Sequence, residues 1–64
     1  MTLTTEQARD YVESYFNGEC ATGLCTVDKQ DTAIVEFTLR DGFQGRFTVW
    51  IERGIKGPYL YGEW

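Results

Sequence analysis

The chain of 64 residues carries six Lys/Arg against ten Asp/Glu and no histidine, a formal net charge of −4 at pH 7. Apolar residues make up 42% and aromatics 16%, too much apolar surface for a chain that stays disordered. The length allows a single domain over residues 1–64, with a core so small that oligomerisation or partner binding would add materially to its stability.

The charge balance narrows the partners. Arg9, Lys29, Arg40, Arg46, Arg53 and Lys56 are dispersed along the chain, so there is no cationic cluster to release counterions from phosphates, and direct nucleic-acid binding is not expected. A basic partner is favoured instead. No stretch approaches the roughly 18 apolar residues of a membrane span, so no membrane role is expected. Met1 to Glu6 has neither a basic region nor an apolar run, which predicts a cytoplasmic chain with no signal peptide.

Leu3 to Phe16 reads as one amphipathic helix. Thr4 is its expected N-cap, with Gln7 three residues on to complete a capping box and Leu3 placed to staple onto Ala8. Ala8, Tyr11, Val12, Tyr15 and Phe16 recur at the spacing of one buried helical face. Glu6, Asp10 and Glu13 form an acidic stripe opposite, within about 60° of one another. Such a stripe is either the wet side of the helix or a docking face for a basic surface. Asn17-Gly18 supplies the stop, since both residues tolerate the left-handed conformation.

After Gly18 the period changes to two. A short strand is expected from Gly23 to Val27, its facing left open because Leu24 and Val27 fall on opposite sides. Asp28 to Asp31 is the expected turn. In Thr32 to Arg40, Ala33, Val35, Phe37 and Leu39 alternate with Ile34, Glu36, Thr38 and Arg40. In Phe43 to Arg53, Phe43, Gly45, Phe47, Val49 and Ile51 alternate with Gln44, Arg46, Thr48, Trp50 and Glu52.

A two-residue Asp41-Gly42 turn would mix the two faces along the whole hairpin, which a buried face forbids. A loop of three residues, Arg40-Asp41-Gly42, keeps them apart with Gly42 in the left-handed position, a five-residue loop being the alternative. This register pairs Leu39 with Phe43, Val35 with Phe47, Ala33 with Val49, Phe37 with Gly45 and Glu36 with Arg46. Gly54 to Pro58 breaks the pattern, and Tyr59 to Trp64 reads as an edge strand.

The sum is an α+β fold: one N-terminal helix packed on a three- to four-stranded antiparallel meander, in the order α-β-β-β-β. The expected core is Ala8, Tyr11, Val12, Tyr15, Phe16, Ala33, Val35, Phe37, Leu39, Phe47, Val49 and Ile51. The helix shields one side of the sheet and leaves the other to water or a partner.

Catalytic chemistry finds little to work with. Without histidine no Ser-His or Cys-His pair can form. Glu36 and Glu52 share the outer sheet face and are the available carboxylate pair. Cys20 and Cys25 would lie on opposite faces of one strand, and bridge only if Glu19 to Gly23 is a loop. Two thiols are too few for a metal centre, so no catalytic residue, metal or cofactor is assigned.

The informative set is Trp50, Tyr59 and Tyr61. If Leu60 and Trp64 turn inward, these three join Ile34 on the outer face, rimmed by Glu36, Arg46, Glu52 and Glu63. Trp, Tyr and Arg anchor interfaces. The alternative is a curled sheet that covers Trp50 and turns the tyrosines toward the helix. Stacking on single-stranded nucleic acid would want a basic rim instead.

The expectation is therefore a non-enzymatic protein-binding module. Its outer face, joined by the Glu6, Asp10 and Glu13 stripe, docks on a larger protein with a basic surface. In size and charge alone the chain is similar to phage- or plasmid-encoded inhibitors of host defence nucleases, anti-CRISPR proteins among them, which is an analogy. The alternatives are a homodimerising accessory subunit that uses the aromatic face, and a thiol-dependent redox protein.

Overall fold

Thr4 starts the helix as its chemistry requires. In the computed structural model, which describes residues 2–64, the Thr4 hydroxyl accepts from the Gln7 amide at 3.1 Å and the Gln7 carboxamide oxygen accepts from the Thr4 amide at 3.0 Å. Helix α1 runs Thr5–Tyr15. It ends in a left-handed cap: Asn17 has φ 54°, the Gly18 amide donates to the Glu13 carbonyl at 2.8 Å, and the Asn17 amide donates to the Ser14 carbonyl at 3.1 Å. Leu3 is 2% exposed and joins Ala8 in the core. Its amide donates to the Gln30 carbonyl at 2.8 Å, which pins the entry of the chain to a distant turn.

Four strands follow: β1 Cys20–Asp28, β2 Thr32–Leu39, β3 Gln44–Gly54 and β4 Gly57–Glu63. They form one antiparallel meander in the order β1-β2-β3-β4. The fold is the expected α+β arrangement of one helix on four strands. The β2–β3 register also stands as read from the alternation: Ala33 faces Val49, Val35 faces Phe47, Glu36 faces Arg46 and Phe37 faces Gly45. Leu39 donates to the Phe43 carbonyl at 2.8 Å, Gly42 donates to the Leu39 carbonyl at 2.9 Å, and Gly42 has φ 94°. This is the three-residue loop that keeps apolar and polar faces apart.

Both outer strands are longer than their sequence suggests. In β1, Thr22 faces Phe37 and Cys25 faces Val35, so Gly23 and Leu24 together oppose the single residue Glu36. That bulge absorbs the break in alternation, turns Leu24 out to solvent at 65% exposure, and returns Val27 to the inner side opposite Ala33. In β4, the expected break at Gly54 to Pro58 is instead a tight hairpin. Gly54 pairs with Gly57, leaving Ile55-Lys56 as the loop, and Gly57 carries φ 119°. Pro58 belongs to the strand because it lies on an edge, where no ladder needs its missing N–H.

The core lies between α1 and the inner sheet face: Leu3, Ala8, Val12, Ala33, Val35, Phe37, Phe47 and Val49 are buried. Tyr11, Phe16, Leu39 and Ile51 pack against it half-buried. Tyr15, expected inside, is 53% exposed. Its ring meets Phe16 and Phe47 edge-on, both with centroids 5.0 Å away, and its remaining surface projects past the cover of the helix. Leu60 and Trp64 do turn inward, with Trp64 packed edge-on against Phe16, Phe37 and Phe43.

Candidate functional site: the outer sheet face

Alternation along four registered strands fixes what the uncovered face displays. Trp50 stands opposite Tyr61 on β4 and Thr32 on β2; Glu52 stands opposite Tyr59; Thr48 stands between Ile34 and Glu63. The tyrosines therefore face away from the helix, beside Trp50. Trp50 is half-buried and Ile34, Tyr59 and Tyr61 are 43%, 48% and 42% exposed. The Trp50 and Tyr61 rings meet edge-on with centroids 5.2 Å apart. Beside them Arg46, Thr48, Trp50, Glu63 and Trp64 line a shallow depression of about 410 Å³.

The rim is acidic. Asp28, Glu36, Glu52 and Glu63 fall on this face, and among the described residues paired in the strand registers Arg46 is the cation there. Arg46 and Glu36 stand opposite each other as cross-strand neighbours. The ion pair among the described residues lies elsewhere, between Arg40 and Glu19 at 2.8 Å. Glu52 is held by two neutral donors: the Trp50 indole N–H at 3.0 Å and the Arg53 amide at 3.3 Å. Its carboxylate is thus oriented without being neutralised.

The helix stripe lies on the other side of the molecule. Glu6, Asp10 and Glu13 are exposed on α1, which packs on the inner face. Glu13 accepts from the Thr22 hydroxyl at 3.3 Å, and Arg9 donates to the Gly23 carbonyl at 3.0 Å, so these two side chains fasten α1 to β1. The stripe and the aromatic patch, both offered by the sequence as docking elements, are two surfaces with the sheet between them.

Glu36 lies opposite Arg46, and Glu52 is six positions further along β3. That places the carboxylates about 20 Å apart along the strand, too far for a shared acid–base task. Cys20 and Cys25 are free thiols, and the bulge puts both on the inner side, opposite Leu39 and Val35. This corrects the expectation of opposite faces. Four strand positions still separate them by about 13 Å, beyond the roughly 7 Å that a disulfide spans. Burial raises the pKa of Cys20, with Glu13 adding to it; burial also raises that of Cys25, against an opposing pull from Arg9. Both shifts run opposite to thiolate activation. No cluster of metal-ligating side chains occurs among the described residues, and no helix there is long and apolar enough to cross a membrane.

No family profile matches the chain, and neither a curated protein nor a solved structure does.

Proposed function

We propose that this chain is a non-enzymatic protein-binding module whose outer sheet face docks on a larger protein with a basic surface. One observation carries the reading: Ile34, Trp50, Tyr59 and Tyr61 stand partly exposed on one sheet face, interspersed with Asp28, Glu36, Arg46, Glu52 and Glu63. Contiguous apolar surface with a charged rim is the anatomy of a contact site. The rim's sign selects a cationic counterpart and opposes phosphate. The distance between Glu36 and Glu52 and the raised thiol pKa values weigh against the enzymatic and redox alternatives. A cytoplasmic setting belongs to the proposal, free thiols being at home in a reducing compartment. Its most specific form is an inhibitor that works by occlusion, of the kind phage and plasmids direct against host defence complexes, argued from size and charge by analogy.

Two features weigh against the homodimer alternative. Pairing this face with a second copy would bring like carboxylates together. Pairing through β4 would need backbone donors that this edge largely lacks. The Gly62 amide donates to the Tyr11 hydroxyl and the Ile51 amide to the Asp31 carbonyl. Pro58, Leu60 and Gly62 are therefore the positions that point to the free edge. Pro58 has no N–H and Gly62 has spent its own, which leaves Leu60.

The test is capture from a host lysate with three versions of the chain. Ile34→Thr with Tyr61→Ala should reduce retention of the partner by about tenfold, the loss expected of an anchor residue. Charge reversal at Glu6, Asp10 and Glu13 should change it little. The opposite pattern would move the docking surface to the helix and end this reading.

A further inference from the structure

Resting on the docking role proposed above, we infer that the outer face recognises an arginine side chain of its partner, taken over Glu52 between Tyr61 and Tyr59. The geometry points to a cation first. Glu52 is fixed in place by the Trp50 indole at 3.0 Å and the Arg53 amide at 3.3 Å, neither of which cancels its charge. Each of its oxygens accepts one hydrogen bond in this arrangement and has capacity for another. Aromatic rings flank it on the neighbouring strand, where Tyr59 stands directly opposite and Tyr61 is two positions along.

The shape then favours arginine over lysine. Tyr59 and Tyr61 are attached about 7 Å apart, the same-face repeat of a strand. The Tyr59 ring leans over Gly54, where an added Cβ would come within 2.9 Å of it, and so away from the Trp50–Tyr61 pair. The space above Glu52 is thus an open shelf with rings at both ends, not an enclosed cage. A compact ammonium is strongly hydrated and gains little from an open shelf. A planar guanidinium stacks on a ring face and still presents a two-pronged edge to a carboxylate. The surrounding rim, Asp28, Glu36 and Glu63 against Arg46, adds long-range attraction for such a side chain.

The experiment uses the intact chain and three short peptides of one sequence, with arginine, lysine or neutral citrulline at the central position. Binding is followed by NMR through the indole N–H of Trp50, assigned by its persistence in Trp64→Phe. The arginine peptide should shift that resonance and bind tighter than the citrulline peptide by about fivefold, the scale of an exposed cation–π contact with one exposed ion pair. Glu52→Gln and Tyr61→Leu should each erase the preference, while Glu13→Gln, on the far side, leaves it intact. Equal affinity for arginine and citrulline, or no shift of the indole with any peptide, overturns the arginine site. A preference for lysine overturns it as well. The protein-docking reading is judged separately by loss of partner capture in the Ile34/Tyr61 variant. A shift that grows with protein concentration in the absence of peptide overturns the inference in favour of a second copy on this face.

Discussion

The Gly62 amide donates to the phenolic oxygen of Tyr11 at 3.0 Å, tying the edge strand to the helix across the end of the core. The contact depends on the absence of a side chain at Gly62: a Cβ there would lie 2.5 Å from Phe47, 2.8 Å from Tyr11 and 3.0 Å from the Thr48 carbonyl. Tyr11→Phe should cost about 1 kcal/mol, the worth of one hydrogen bond, and free a second donor on the β4 edge. Gly62→Ala should cost more, about 2–3 kcal/mol, because one of the three neighbours is backbone and cannot swing away. Urea denaturation of both variants checks the order; a Gly62→Ala variant as stable as the parent would mean that β4 is not held this close to Phe47.

Leu3 sits outside the helix yet is 2% exposed. Leu3→Ala should lose about 2–4 kcal/mol, the range of a buried leucine truncation, whereas Thr4→Ala should lose about 1 kcal/mol from the cap alone. Thermal unfolding followed by circular dichroism would rank them. Equal, small losses would detach the N-terminal segment from the core.

The β1–β2 turn holds Lys29 at φ 59° and Gln30 at φ 76°, the left-handed region that side chains disfavour. Gln30→Gly should relieve that cost and keep the carbonyl that accepts from Leu3. The expected net gain is below about 1 kcal/mol, since glycine also loosens the unfolded chain. A higher urea midpoint would bear this out; a lower one would mean that the Gln30 side chain contributes more than its backbone strain costs.

The two thiols give stability a pH dependence of definite sign. Their folded pKa values are raised, chiefly by burial, so the folded chain holds these protons more tightly than the unfolded chain does. The associated stability is full below the unfolded thiol value of about 8.5 and is lost as pH rises through it toward the folded values. Urea midpoints at pH 8 and 9.5 (both about the thiol range) should fall further for the parent than for the Cys20→Ala, Cys25→Ala double variant. Alkylation of the folded parent should also be slower than that of an unfolded control. Identical slopes for the two proteins would remove the thiols from the account.

The parts of the fold that were legible share one property: strict alternation against a buried face. Ala33 to Leu39 and Phe43 to Ile51 admitted only odd loops, which keep Ala33, Val35, Phe37, Phe47 and Val49 on one face, and β2 and β3 adopt the three-residue one. The helix was equally open to reading, from Thr4 and Gln7 at one end to Asn17-Gly18 at the other. The bulge in β1 was hidden because two residues facing Glu36 look like a failed period, not like a longer strand. Pro58 misled for a related reason, since its place in a strand depends on there being nothing beside it.

The outer face was legible along β3, where Trp50 and Glu52 alternate with Val49 and Ile51, and open along β4. Tyr59, Tyr61, Trp50 and Ile34 share the outer face, one of the two arrangements that the sequence left open. That the Glu6, Asp10 and Glu13 stripe occupies the reverse side follows only from which face the helix covers. The hydrogen bond that presents Glu52 joins two side chains on one strand, Trp50 and Glu52. A same-face spacing of two residues could have suggested it.

Both long margins of the sheet are interrupted. One strand has a bulge and an arginine laid against it; the other has a proline and a tyrosine-capped amide. Exposed flat margins are where chains knit into fibrils. Interrupted margins leave little continuous backbone through which one sheet could extend into another.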